Sequence, residues 1–128
     1  MEIIAALFVE NFDIRTTPEG PARIDLGGVY FSTAAGGPFP ATVTPHLVVL
    51  VRCPSDHSGT GLLEVVFRRG DDEVARNRQF VNVEPGKFGY NLVQAELEFS
   101  EPGTVQAECR IDQGETTRVP LTMVPAGQ

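Results

Sequence analysis

Residues 91–112 read NLVQAELEFSEPGTVQAECRID, and their apolar side chains fall on every second position. Val93, Ala95, Leu97 and Phe99 lie on one side and Gln94, Glu96 and Glu98 on the other, a period of two that marks a strand buried on one face. Val105, Ala107, Cys109 and Ile111 then alternate in the same way with Gln106, Glu108 and Arg110. Between the two runs, Glu101-Pro102-Gly103 joins the fixed backbone angle of proline to the permissive glycine, so the chain reverses there. Two antiparallel, half-buried strands follow.

Working outward, the same signals recur along the chain. Strands are predicted over residues 2–14, 22–32, 46–53, 61–69, 73–83, 91–100, 104–112 and 115–124, each rich in Val, Ile, Leu, Phe or Thr and bounded by Gly, Pro, Asn or Asp. Tight reversals at Arg69-Gly70-Asp71-Asp72-Glu73, Glu84-Pro85-Gly86 and Asp112-Gln113-Gly114-Glu115 imply antiparallel pairing. Pro120 has no N–H to donate, which suits an edge strand or a bulge. Gly27 and Gly28 interrupt a strand pattern and predict a bulge or a close backbone approach. No window keeps a helical period. The fold class expected is all-β, an antiparallel two-sheet β-sandwich of about eight strands, immunoglobulin-like in plan, with residues 1–128 as one domain.

Composition narrows the function. The 128 residues suffice for one hydrophobic core. A formal charge of −7, with Lys87 the single lysine, argues against nucleic acid and anionic membranes, whose affinity comes from displaced counterions. The local basic cluster of Arg68, Arg69, Arg76 and Arg78 is interrupted by Asp71, Asp72 and Glu73 and reads as a solvated, partly paired hairpin. The opening MEIIAALFVENF has Glu2 where a signal peptide needs a positive charge, and it reads as a first strand of a soluble, cytoplasmic protein.

The run EFSEPGTVQAECRIDQGETTRVPLTMV (98–124), with IIAALFVENFDIR (3–15) and IDLGGVYF (24–31), resembles a family of small bacterial β-sandwich proteins of no assigned function. The resemblance covers about half of the chain and implies an immunoglobulin- or fibronectin-like fold. It carries over no catalytic residue.

Cys53-Pro-Ser-Asp-His-Ser-Gly-Thr-Gly61 gathers the chemically capable groups. Antiparallel strands that span the two sheets send their connections alternately to two poles, roughly 25 Å apart for a strand of about eight residues. One pole is expected to collect residues 16–21, 54–60, 84–90 and 112–114; the other collects 33–45, 70–72, 100–103 and both termini. His46 and His57 then lie apart, as do Asp56 and the pair Asp71 and Asp72, so neither a zinc nor a calcium site is expected, and no cofactor. Cys53, His57 and Cys109 remain as a weak site at one pole. The cysteines are read as buried free thiols, as a disulfide, or as a nucleophile, Cys53, with His57 as its base. Ser55, Asp56 and His57 are too close in sequence to converge as a triad, and a turn is the simpler reading.

The first strand carries the other candidate. With Ile3, Ala5, Leu7 and Val9 facing the core, Ile4, Ala6 and Phe8 form an outward apolar stripe that needs a cover, either a loop of this chain or another subunit. The functional expectation is a non-catalytic β-sandwich that binds a protein or acts as a scaffold, a second copy included. A small thiol-dependent hydrolase using Cys53 and His57 is one alternative. A small-ligand or carbohydrate-binding module is another, though the chain has no Trp and only Tyr30 and Tyr90 to stack on a sugar.

Overall fold

A computed structural model describes residues 1–127. The chain is all-β, built from eleven strands: β1 (Glu2–Thr16), β2 (Ala22–Val29), β3 (Ser32–Ala34), β4 (Ala41–Val43), β5 (His46–Arg52), β6 (Thr60–Arg69), β7 (Asp72–Asn82), β8 (Phe88–Gln94), β9 (Leu97–Phe99), β10 (Gly103–Ile111) and β11 (Thr117–Val124). They form a four-stranded sheet in the order β2-β1-β5-β8, a five-stranded sheet in the order β3-β11-β10-β6-β7, and the small β4-β9 pair. Pairing is antiparallel throughout except for β3, which lies parallel to β11. Among the described residues no helix is long and apolar enough to cross a membrane.

The count exceeds the eight strands expected, for identifiable reasons. Residues 33–45 contain two short pairing segments, β3 and β4, within what reads as a loop. The alternating run 91–100 is divided between β8 and β9, because its second half leaves β5 to pair with β4. Its side-chain parity survives the division: Val93, Leu97 and Phe99 are buried, as are Val105, Ala107, Cys109 and Ile111 on β10 and Leu121 and Met123 on β11. Pro120 pairs with Gln106 on β10, while β3 reaches only residues 122–124, so the proline occupies a stretch of β11 with no partner on its other side.

The two large sheets pack face to face around one apolar cluster. Phe8, Leu47, Val49, Val51 and Val93 come from one sheet; Leu63, Val65, Phe67, Val81 and Leu121 come from the other. Here the expectation for the first strand fails. Ala6 is 6% and Phe8 1% exposed, inside the cluster, and only Ile4 of that stripe reaches the surface. The cause is a register shift between Ile3 and Ala5: Ile3 pairs with Val51 and Ala5 with Leu50, leaving Ile4 unmatched. One extra residue inverts every later side chain. Phe8 turns in; Leu7 and Val9 turn out.

β1 also overruns the sheet. Fifteen residues extend roughly 50 Å, about twice the length of the seven-residue β5. Residues 2–9 pair with β5, Val9 pairs with both β5 and β2, and residues 11–16 pair with β2 alone. At the change of partner, the side chains of Glu10 and Asn11 lie over Gly28 and Gly27, where any Cβ would collide with them, and Gly28 has a φ of 64°. The glycine pair therefore marks a close approach. Beyond it, the β1-β2 hairpin folds back over the outer face of its own sheet. Phe12 meets the ring of His46 edge-on at 5.8 Å, and Val48, which faces away from the central cluster, has no exposed surface. The hairpin lies over His46 and Val48, not over the stripe expected to need a cover: Ala6 and Phe8 are in the core and Ile4 stays exposed.

This fold-back moves the poles. Residues 16–21 return to the pole of residues 84–90, as expected, but Met1 lies there too, against Gly61 and beside Ile111 and Gly114, at the pole opposite to the one expected.

Candidate functional site

The segment 53–61 is a turn held by main-chain bonds. The His57 N–H donates to Pro54 O at 3.1 Å, Cys53 exchanges main-chain bonds with Lys87 and Gly86, and Val83 N–H donates to Gly59 O at 2.9 Å. Gly59 has a φ of 90°, the conformation glycine supplies without strain. His57 accepts the Gly59 N–H on Nδ1 at 3.0 Å, which places the proton of the neutral ring on Nε2. Cys53 and Cys109 are free and have no exposed surface. Cys53 Sγ donates to Pro54 O at 3.5 Å, and burial pushes the Cys109 thiol up to about 12, away from the reactive thiolate. Among the described residues no hydrogen bond joins either thiol to His57. His46 starts β5 and His57 follows its far end, so the two imidazoles lie at opposite poles.

The basic cluster finds partners mostly outside its own turn. Glu64 on β6 accepts from Arg76 at 3.0 Å and Arg78 at 2.7 Å; Glu108 on β10 accepts from Arg68 at 2.9 Å and Arg118 at 3.2 Å. Glu73 is the one acid of the predicted turn that joins, at 2.6 Å from Arg76. These contacts hold all three carboxyls below the ordinary carboxylate range: Arg78 and Arg76 act on Glu64, Arg76 on Glu73, and Arg68 and Arg118 on Glu108. Arg69 is used differently, donating to Glu98 O at 3.0 Å with its guanidinium 4.9 Å from the centre of the Phe99 ring.

The most developed opening lies between the folded-back hairpin and the sheet beneath it. It is a cleft of about 630 Å³, with Ile4 and Leu50 on the sheet beneath, Ile14 and residues 21–24 of the hairpin on one side and residues 87–90 on the other, with Asn82 also in its lining. Among the described residues nine large apolar side chains are exposed, and four of them, Ile4, Ile14, Phe88 and Tyr90, meet here. The register explains the meeting: Leu50 pairs with Ala5 on one side and Tyr90 on the other, so the cleft floor is the outer face of β1, β5 and β8. Ile4 is the bulged residue. The extra position that turned Phe8 inward left Ile4 outside.

The chemistry of the lining is selective. Among the described residues Arg23 and Lys87 are its only charged groups and no carboxylate contributes to it, although the chain has 17 acidic residues against 10 basic ones. Lys87 holds one solvated pair, with Glu84 at 3.0 Å. A second opening, at the His46 pole, is polar instead, lined by Glu10, Tyr30, Ser32, Thr33, Thr44 and His46. Burial and the neighbouring charge of Glu10 raise the Tyr30 phenol above its ordinary value.

Of the predicted site residues, the structure brings Ile4 to the cleft, sends Ala6 and Phe8 into the core, and leaves Cys53, His57 and Cys109 without a shared hydrogen bond. Sequence reading missed Phe88 and Tyr90 by assigning residues 84–90 to a loop. Their signal was the alternation of Phe88, Tyr90 and Leu92, out of phase with Val93. No protein-family model matches the chain, and no curated protein does either.

Proposed function

We propose that this chain is a non-catalytic, immunoglobulin-like β-sandwich that binds a segment of a partner protein in the cleft between the β1-β2 hairpin and the outer face of β1, β5 and β8. The observation that carries this reading is the convergence of Ile4, Ile14, Phe88 and Tyr90 on one opening of ligand-binding size. Exposed apolar area costs solubility unless it is used, and central aromatic anchors dominate protein recognition. The domain works without a cofactor. The thiol-hydrolase alternative finds less support, since both thiols are shielded and the His57 ring already serves its own turn.

A photo-crosslinking side chain placed at Phe88, 69% exposed, tests the reading in the cells that make the protein; the control position is Phe31, 66% exposed. Phe31 adjoins Thr122 in the stretch where β3 joins β11, away from the cleft. A protein adduct formed from position 88 and not from position 31 is the expected result. Equal labelling from both positions, or none from position 88, defeats it.

A further inference from the structure

The two sides of the cleft are built differently. On one side β8 presents a face, with Phe88 and Tyr90 alternating and exposed. On the other, β2 contributes Ala22, Arg23 and Ile24 in succession. Ile24 pairs with Ile14 and Arg23 with Arg15, and successive side chains of a strand point to opposite faces. Ile14 and Ile24 share the underside of the hairpin with Phe12, which meets His46, while Arg15 is exposed on the upper side in a pair with Asp25 at 2.7 Å. Residues of both faces line one opening where a strand is met along its edge, and β2 is an edge strand, paired with β1 alone. That edge is open. Thr17 N–H donates to Pro21 O at 3.1 Å at the hairpin tip, and main-chain bonds alternate along an antiparallel pair, so Arg23 exchanges bonds with Arg15 whereas Ala22 and Ile24 turn N–H and C=O away from β1. The Arg23 guanidinium reaches Ala22 O at 3.4 Å, as that orientation requires. Among the described residues no main-chain group meets Ala22 or Ile24 on that side.

An unpaired edge above an apolar surface accepts an added strand, whose main chain supplies affinity and whose alternate side chains supply selectivity. Arg23 joins no ion pair among the described residues, and it fixes the sign of the charge that the added strand carries on its upper side. Resting on the cleft as the binding site, we propose that its occupant is an extended segment of a partner protein, apolar on one face and acidic on the other, that adds as a third strand to the hairpin along the free edge of β2 at residues 22–24. Its residues opposite Ala22 and Ile24 share their face and set aliphatic side chains down on Leu50, Phe88 and Tyr90, and its residue opposite Arg23 faces solvent with a carboxylate. The segment completes the cover that the hairpin leaves unfinished. The β2 of a second copy comes backed by its own four-stranded sheet, in the space where this cleft already has Leu50 and Tyr90, so a lone segment fits better than a folded copy.

The experiment is selection from a random dodecapeptide display library on the wild-type protein, with parallel selections on Arg23→Glu and on Phe88→Ser/Tyr90→Ser. All three positions are surface-exposed, and circular dichroism confirms that each variant folds. Peptides alternating aliphatic residues with Asp or Glu are expected, bound about tenfold or more weakly by Arg23→Glu, the scale of one lost charge contact. On binding, amide exchange is expected to slow about tenfold or more at Ala22 and Ile24 and to stay unchanged at Arg23, whose N–H is already held by β1. Peptides that depend on Phe88 and Tyr90 but leave exchange at Ala22 and Ile24 unchanged, or that bind Arg23→Glu as tightly as wild type, overturn the added strand and leave the cleft in place. A library yielding no peptide that depends on Phe88 and Tyr90 overturns both, as does a wild-type dimer, seen by sedimentation, that Phe88→Ser/Tyr90→Ser dissolves.

Discussion

On the outer face of the five-stranded sheet, Glu64 lies between Arg76 and Arg78, and Glu108 between Arg68 and Arg118. Across the molecule, the outer face of the four-stranded sheet has a cross-strand row of Leu7, Val48 and Leu92, beneath a hairpin of its own chain. The first face meets water with cross-strand ion pairs, and its arginines outnumber its glutamates in a chain that is acidic overall. The second excludes water over half its length and leaves the remainder as the cleft. The lesson is where binding capacity arises: the charged face is satisfied by its own pairs, whereas the hairpin covers His46 and Val48 but stops short of Phe88 and Tyr90. An incomplete cover is also a groove.

The comparison depends on the bulge at Ile4, so its sharpest test is Phe8. With Phe8 in the central cluster, Phe8→Ala removes a large buried side chain and is expected to cost about 3–5 kcal/mol in urea unfolding. A loss near zero would restore the unbulged register, with Phe8 outside and the two outer faces misassigned.

The second test concerns the cover. Val48 is fully buried although it faces outward, and Val48→Ala is expected to cost about 2 kcal/mol, methyl burial plus cavity. On the opposite outer face Leu62 is 37% exposed, and Leu62→Ala is expected to change stability by about 0.5 kcal/mol at most. Equal costs at the two sites would mean that the hairpin does not shield Val48.

How far the sequence disclosed these faces depends on how locally each feature is encoded. The alternation on β10 and β11 and the reversals at 69–73 and 112–115 were legible because parity and turn chemistry are written within a few residues. The bulge was not, since Ile-Ile-Ala-Ala-Leu-Phe-Val is apolar on both parities and nothing in it marks which residue goes unpaired. Gly27 and Gly28 announced a close approach without naming the side chains above them. The reach of β1 was hidden as well, because a strand's length states how far it extends and not over what it folds. Phe88 and Tyr90 were lost behind the Pro85-Gly86 turn, whose signal extended a loop over the start of β8. The Cys53 to Gly61 segment read correctly as a turn, since its residues bond their own neighbourhood.

The smallest expected effect distinguishes the two faces by mechanism. The folded-state pKa of Glu108 is lowered by Arg68 and Arg118, so the folded protein binds its proton less readily than the unfolded chain does. The stability contributed by these pairs is therefore fully present above the ordinary carboxylate value of 4.5 and is lost as pH falls through the lower folded value. Glu64 and Glu73, lowered in the same direction by Arg78 and Arg76, lose theirs over the same acidic window. Glu108→Gln is accordingly expected to be slightly less stable than wild type at neutral pH, with the difference closing below about pH 4 as the wild-type carboxyl protonates. Added salt should narrow it at neutral pH, because exposed pairs are screened within about 10 Å at 0.1 M. The Val48→Ala deficit has no titrating group in it and should persist through both treatments. Urea midpoints for the two variants across pH 3 to 7, at low and high salt, make the comparison; a Glu108→Gln deficit as insensitive to acid and salt as that of Val48→Ala would show that the charged face, too, is held by packing.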